Sequence, residues 1–340
     1  MTAPEPRANP ILLGHEAAEA KLLDALCSGR MHHAWLVIGP EGIGKATLAY
    51  RFARRLLAGM PANSLALDPT DKVFRRVAAG AHADLHTVAR SINPQTKKLR
   101  SEIGIDDVRQ ASDFLRLTAA EGGWRVVIVD RADDLNRNAA NGLLKILEEP
   151  PPRAVLLLVC AAPGRLPTTI HSRCRRLRLT ALPDAAMMTL LATYLPDTAE
   201  PERSRLVALA GGSPGRALLL AEAEGLALSA MVDETLAALP DLPATRAHAI
   251  ADKLGRDEAA FSTFMDLLRA ALADAVRAAG RNRADPGQAR IAALRPLAAW
   301  SDVWHALTRL QDETERFALD RRHAIISALA LLTEPVQAFP

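Results

Sequence analysis

Trp35-Leu36-Val37-Ile38-Gly39-Pro40-Glu41-Gly42-Ile43-Gly44-Lys45-Ala46-Thr47 is the stretch whose reading decides the fold. Four apolar residues suited to a buried strand run into a glycine-rich turn, and a helical pattern from Lys45 to Leu57 follows. Strand, glycine loop and helix in this order make a phosphate-binding loop. Its backbone N–H groups can converge on phosphate oxygens without obstruction by side chains, while Lys45 and the helix N-terminus add positive potential. Gly39, Gly42, Gly44, Lys45 and Thr47 are therefore the candidate phosphate-site residues. One position departs from the pattern: the residue after the lysine should offer a hydroxyl to Mg²⁺, and it is Ala46. Thr47 lies one residue on, about 100° further around the helix, so it does not simply substitute.

Outward from the loop, apolar strands alternate with helical patterns. Upstream, Ile11 to Gly29 has a helical period, with Ala18, Leu22, Leu23 and Leu26 on one broad face. His32 and His33 precede the first strand; read as strand residues they point to opposite faces and make poor partners for one metal. Downstream, Ala58 to Ala83 is irregular, with a short helix expected inside it. Leu85 to Val88 suits a short strand, Ser91 to Ser101 a polar connection, and Ile105 to Leu117 a helix with Asp106 and Asp107 at its positive end. Arg125 to Asp130 is a strand ending in a carboxylate, and the helix after it is stopped by Pro150-Pro151-Pro152. Ala154 to Val159 is continuously apolar, as a parallel strand covered on both faces requires. The spacing predicts a parallel α/β domain over residues 10–176.

Asp130 has the place of the second acidic element of such sites, at the end of a central strand within reach of the metal region. An acidic residue that polarises water is expected next, and the chain has Arg131, which takes no proton at neutral pH. Ala46 and Arg131 are independent deficits, and both point away from nucleotide turnover by this chain alone.

Composition sets wider bounds. Charged residues are 24% of the 340 and hydrophobic residues 49%, ordinary for a globular protein. A net charge of +3, from 42 basic and 39 acidic side chains, neither demands nor excludes a nucleic-acid partner. Cys27, Cys160 and Cys174 are too far apart in sequence to give paired metal-ligand spacing, so no zinc module and no other metal site is expected. Met1 to Pro10 holds charge and three prolines but no apolar signal core, and the apolar run Ala154 to Ala162 is too short to span a bilayer. The expectation is a cytoplasmic protein without a membrane partner. From Asp184 onward the pattern is helical: a small unit interrupted by Gly211-Gly212-Ser213-Pro214-Gly215, then residues 228–335 with breaks near Leu239-Pro240-Asp241 and Asn282 to Gly287. Phe261, Phe264, Leu267, Leu268 and Leu272 recur at helical spacing there, as do Ile325, Ile326, Leu329 and Leu332.

Four further motifs occur in order around the loop. They are His33-Ala34-Trp35-Leu36, Ile105-Asp106-Asp107-Val108-Arg109, Asn141-Gly142-Leu143-Leu144-Lys145-Ile146-Leu147-Glu148-Glu149-Pro150-Pro151, and Leu166-Pro167-Thr168-Thr169-Ile170-His171-Ser172-Arg173-Cys174. With them, residues 14 to 217 resemble the delta-prime family of bacterial DNA polymerase III clamp loader subunits. The resemblance implies an AAA+ nucleotide-binding-like domain over 10–176, a small helical lid over 177–227 and an all-helical collar over 228–335. It also implies a ring-like assembly with ATPase and delta subunits that opens a sliding clamp and places it on primed DNA.

The resemblance gives Arg173 of Ser172-Arg173-Cys174 a role in trans, projecting into a neighbouring subunit's nucleotide site; a guanidinium there makes fork-like bonds to phosphate and stabilises charge in transfer. It makes Arg216 a lid arginine facing nucleotide, or else a packing residue. ATP or ADP at Lys45 stays open. Many relatives of this kind carry a four-cysteine zinc module that this chain lacks, and Ala161-Ala162 stand where hydrolysing relatives often have threonines. Two other readings remain at this point: an autonomous AAA+ ATPase that remodels DNA or protein, and a nucleotide-binding structural scaffold.

Overall fold

Strands whose every residue is buried occupy the middle of the sheet, as their unbroken apolar runs require. β3 (Arg125–Val129) and β4 (Ala154–Cys160) have no exposed position, and β1 (Ala34–Ile38) is buried until its last residue. A computed structural model describes residues 4–59, 63–92, 95, 97, 99–222 and 224–333. Parts of the first ten residues, of Ala58–Ala83 and of Ser91–Ser101, and the end of the stretch to 335, lie outside the described residues. The chain divides into two units, Met1–Leu218 and Leu219–Pro340.

In the first unit, β2 (Leu85–Val88) and β5 (Arg175–Arg178) complete a five-stranded sheet of order β2-β3-β4-β1-β5. All its pairings are parallel. β1 lies between β4 and β5, so the chain leaves it at a point where the strand order reverses, where open parallel sheets form their crevices. α4 (Ile105–Arg116), α5 (Arg137–Glu148) and α6 (Thr168–Arg173) share one core with the sheet, in which Val108, Leu143 and Ile170 meet Leu36, Val127 and Leu156. α2 (Lys45–Ala58) packs on the sheet through Phe52, which meets Trp35 edge-on at 6.5 Å. α3 (Lys72–Ala78), capped by the Asp71 carboxylate, is the short helix expected in the irregular stretch.

Three local readings change. The first helix, α1, runs Glu16–Cys27 and not from Ile11. Residues 11–13 are non-helical instead, so that Leu12 and Leu13 can line a cavity. His32 and His33 precede the strand, where alternation does not apply, and their rings stack at 4.5 Å instead of pointing apart. β5 was not expected: three of its four residues are arginines and only Leu177 is buried, so it lacks the apolar run of the central strands. A charged, short strand is what an exposed sheet edge demands. β5 also continues past residue 176. Beyond it come α7 (Asp184–Tyr194) and α8 (Glu200–Ala210), then α9 (Pro214–Glu222), which starts within the glycine-rich interruption and takes in its last two residues.

The second unit is helical throughout its described residues: α10 (Gly225–Ala237), α11 (Ala244–Leu254), α12 (Glu258–Gly280), α13 (Pro286–Ala293), α14 (Leu297–Phe317) and α15 (Arg321–Thr333). α12 is the hub, packing on α10, α13 and α14. Phe261, Phe264, Leu267, Leu268 and Leu272 are all buried, as are Ile325, Leu329 and Leu332, while Ile326 is half-buried. Among the described residues, no helix is long and apolar enough to cross a membrane.

One buried cation ties the N-terminal segment across the first unit. Arg54 of α2 is 1% exposed. Its guanidinium donates to the Arg7 carbonyl at 3.2 Å and the Asn9 carbonyl at 2.8 Å, and it stacks over Phe74 at 4.2 Å. Burial pulls its pKa down to about 10, a charge kept inside by those carbonyls. Arg51, next on the same face, donates to the Pro10 carbonyl at 2.6 Å. Arg54→Ala is expected to cost about 2–4 kcal/mol in urea unfolding, the range for losing two charge-assisted hydrogen bonds and orphaning two carbonyls. It should also expose residues 4–13 to limited proteolysis; an unchanged midpoint and cleavage pattern would remove Arg54 as the anchor.

Candidate nucleotide-phosphate site

Two backbone positions let the chain turn from β1 into α2. Gly42 has φ of 74° and Gly44 of 101°, values that side chains rarely adopt. Space is as strict as conformation at Gly42, where a Cβ would stand 2.4 Å from the Ser213 Oγ. The start of α9 packs directly on the loop tip: the N–H of Gly215, in its first turn, donates to the Gly42 carbonyl at 2.9 Å, and the hydroxyl of Ser213, just before the helix, to the Glu41 carbonyl at 2.8 Å. From the other side, the buried His15 Nε2–H donates to the Ile43 carbonyl at 2.6 Å. With its carbonyls engaged on both sides, the loop turns its N–H groups elsewhere. Among the described residues, the N–H groups of Gly42 to Thr47 have no hydrogen-bond acceptor.

The space beside this loop is a cavity of about 320 Å³. Gly42, Gly44, Lys45, Ala46, Thr47, Asp130 and Arg131 line one part, and Leu12, Leu13, Leu182, Leu190, Tyr194 and Leu218 make an apolar part. Tyr194 is fixed by its hydroxyl, which donates to the Asn9 Oδ1 at 3.0 Å. The cavity thus joins an anion-binding loop to an apolar surface, the two chemistries of a nucleoside phosphate.

Of the residues singled out from sequence, Gly42, Gly44, Lys45, Thr47 and Asp130 come together here. Gly39 and Arg216 are outside the lining. Gly39 closes the end of β1, donating to the Cys160 carbonyl at 3.3 Å, and the Arg216 N–H donates to the Ser213 hydroxyl at 3.2 Å. Arg173 is also outside the lining, at the end of α6. Its guanidinium donates to the Thr169 carbonyl at 3.0 Å and the Ser172 hydroxyl at 3.2 Å, and pairs with Glu148 at 2.7 Å.

Charges inside the site are spoken for. Lys45 is 7% exposed, and its ammonium donates to the Pro40 carbonyl at 2.5 Å. Burial holds its pKa below the usual lysine value, against the pull of Glu41 and Asp133. Arg131 has a left-handed backbone, φ 58°, and its side chain bridges the loop tip to the turn after β3. It donates to the Glu41 carboxylate at 2.8 Å and lies 3.2 Å from the Asp134 carboxylate. Asp133, which sequence reasoning passed over, accepts the Ala161 and Ala162 N–H groups, both at 3.1 Å, and so ties this turn to the end of β4. His15 and Ser213 were missed as well. Their side chains work through contacts to backbone groups, which leave no spacing to read.

A nucleoside phosphate fits these residues, and Mg²⁺ does not. Ala46 has no side-chain oxygen, each Asp133 oxygen already accepts a backbone N–H, and burial disfavours the charged form of Asp130. Among the described residues, no three His, Cys, Asp or Glu side chains are grouped to hold a metal ion. Cys160 and Cys174 are buried thiols raised to about 12 by that burial, so neither is a nucleophile.

Comparison with known proteins gives a concordant result. The family described as DNA polymerase III, delta subunit, matches residues 14–183. The DNA polymerase III subunit delta' of Pseudomonas aeruginosa is 40% identical over 182 residues, which are 54% of this chain and 53% of that protein. The subunit delta' of Escherichia coli is 34% identical over 200 residues, 59% of this chain and 58% of that one. The subunit tau of Salmonella typhimurium is 32% identical over 171 residues, 50% and 25% of the respective chains. The chain is thus matched over about half the length of its delta' relatives. Among solved structures, a gamma subunit-related protein of Thermotoga maritima aligns with a TM-score of 0.44 at 17% identity, covering 92% of this chain and 98% of that one.

Because burial raises the Asp130 pKa, its charged form is disfavoured in the fold. That contribution to stability is fully present below the ordinary aspartate pKa of about 3.9 and is lost as pH rises through the raised folded value. Asp130→Asn should therefore melt above the wild type at about pH 8 and lose that advantage near pH 3–4, where both side chains are neutral. Thermal melts at the two pH values check this; a wild type more stable than D130N at the higher pH would contradict it.

Proposed function

From the premise that this chain belongs to the DNA polymerase III delta subunit family, whose match spans half of it, as a delta-prime-like clamp loader subunit, we propose that it acts through assembly and not by hydrolysing nucleotide itself. Its partners in this reading are ATPase and delta subunits, and through the complex a sliding clamp and primed DNA. Residues 10–176 are the nucleotide-binding-like module in this reading, 177–227 a lid, and 228–335 a collar. ATP or ADP is a ligand that it holds without turnover, and Arg173 is offered to the nucleotide site of a neighbouring ATPase subunit.

The observation that carries this reading is the replacement of the metal ligand in an otherwise regular phosphate loop. Ala46 sits where hydrolysis needs an oxygen on Mg²⁺, and Arg131 stands where an acid should polarise water. Arg173 supports the second half. It is 34% exposed at a helix end, outside its own chain's cavity, and it is held at both terminal nitrogens. A guanidinium fixed this way loses little freedom on meeting phosphate, and its remaining N–H groups are available for bonding.

The test is reconstitution with the ATPase and delta subunits. The chain alone should show negligible ATP turnover. In the assembled complex, Arg173→Ala should lower turnover at the one neighbouring site by roughly 10³-fold, the lower range for an arginine finger. Assembly, followed by size-exclusion chromatography, should be unchanged. Strong turnover by the lone chain overturns the first half, and unchanged turnover by the R173A complex overturns the second.

A further inference from the structure

Arg131 has no role in the hydrolytic chemistry of phosphate loops, yet it lines the cavity beside Lys45. We propose that this cavity binds a nucleoside di- or triphosphate as the metal-free anion, with Lys45 and Arg131 together supplying the positive charge that Mg²⁺ supplies elsewhere. This rests on the nucleotide-holding part of the preceding section and not on the role of Arg173.

The argument begins with what surrounds the phosphate position. The N–H groups of Gly42 to Thr47 find no acceptor among the described residues, so the loop presents donors that suit an anion and not a metal. Four carboxylates stand nearby, and each is disposed of differently. Asp133 is committed to two backbone N–H groups, and Asp134 lies between Arg90, at 3.3 Å, and Arg131, at 3.2 Å. Asp130 is largely covered and its charged form disfavoured. Only Glu41 is free to move: its side chain is 71% exposed at the loop tip, tied to Arg131 by one bond of 2.8 Å. A terminal phosphate entering the loop offers Arg131 a stronger, multidentate acceptor than this exposed carboxylate. The guanidinium then trades Glu41 for phosphate while Asp134 keeps its Nε in place.

This exchange sets the ion requirement. In an ordinary phosphate loop the metal neutralises part of the phosphate charge and bridges it to the hydroxyl after the lysine. Here the hydroxyl is missing, and a guanidinium already spans the gap between loop and acidic strand. Mg²⁺ brought with the nucleotide would find no hydroxyl on the residue after the lysine and would share the phosphate oxygens with Arg131 and Lys45. Free nucleotide, carrying more negative charge, is the better partner for two cations in a partly dry cavity.

The test is titration calorimetry of the full chain with ADP and with ATP, in EDTA and in excess Mg²⁺. Affinity in EDTA should equal or exceed that in Mg²⁺ for both nucleotides. Arg131→Ala should weaken binding about tenfold or more in EDTA, the loss of one charge-assisted contact. Arg131→Lys should weaken it less, and Glu41→Gln, which frees the guanidinium, should tighten it. Adenosine, lacking phosphate, should bind R131A and wild type alike. If R131A does not fold by circular dichroism, the lysine and E41Q variants carry the comparison. Binding strengthened tenfold by Mg²⁺, no binding in either condition, or an R131A or E41Q chain indistinguishable from wild type would each overturn the proposal. Because the lone chain is titrated, these outcomes are independent of whether Arg173 acts in a neighbour.

Discussion

A chain that leaves a buried central strand and starts a helix within a few residues must turn where side chains cannot go. Gly42 and Gly44 absorb that turn with positive φ, and the turn then dictates what packs on it. Gly215 can approach because it too lacks a Cβ; an added one would stand 2.9 Å from the Gly42 Cα. His15 holds the Ile43 carbonyl from the opposite side. The loop is therefore clamped through its carbonyls, which leaves its N–H groups as the face it presents. Anion affinity here is a consequence of how the turn is held, before any side chain is counted.

That constraint explains why the sheet was legible in sequence. β1, β3 and β4 are buried on both faces, and continuous apolar runs such as Ala154 to Val159 state this directly. Gly42, Gly44 and Lys45 were legible for a related reason: their spacing is fixed by the turn itself. β5 was not, because an edge strand can be three-quarters arginine, and its pairing with β1 depends on backbone groups that carry no residue preference. The N-terminal segment was misread as helix because Leu12 and Leu13 are apolar for the sake of a cavity and not of a helix face. Asp133 was hidden among Asp130, Asp133 and Asp134, where spacing alone does not separate a carboxylate that holds backbone from one that faces the cavity.

The carboxylates also show how the site's charge has been redistributed. In a metal-dependent loop the acids near the strand end are useful because they are available. Here Asp133 is spent on the Ala161 and Ala162 N–H groups, and Asp134 on two arginines. These bonds stiffen the turn between β3 and α5, so the same residues that fail as metal ligands succeed as structure. The missing hydroxyl at position 46 thus goes together with acids that are committed to holding the turn.

In the proposed reading, two arginines divide the work that one metal-bearing site would do. Arg131 and Arg173 have the same chemistry, and environment alone separates them. Arg131 lies over its own loop, with an exposed glutamate as an exchangeable partner and Asp134 as a fixed one. Arg173 sits at the end of a short helix beside Glu148, outside the cavity its chain encloses. A cation that is to serve its own chain's phosphate must be held by an acceptor it can give up, close to the anion. One that is to serve another chain must instead be held in place at the surface, because any freedom it keeps is lost again on docking. The more rigid anchoring at Arg173, with a backbone carbonyl, a hydroxyl and a carboxylate on its terminal nitrogens, suits the second task. The looser anchoring of Arg131 suits the first.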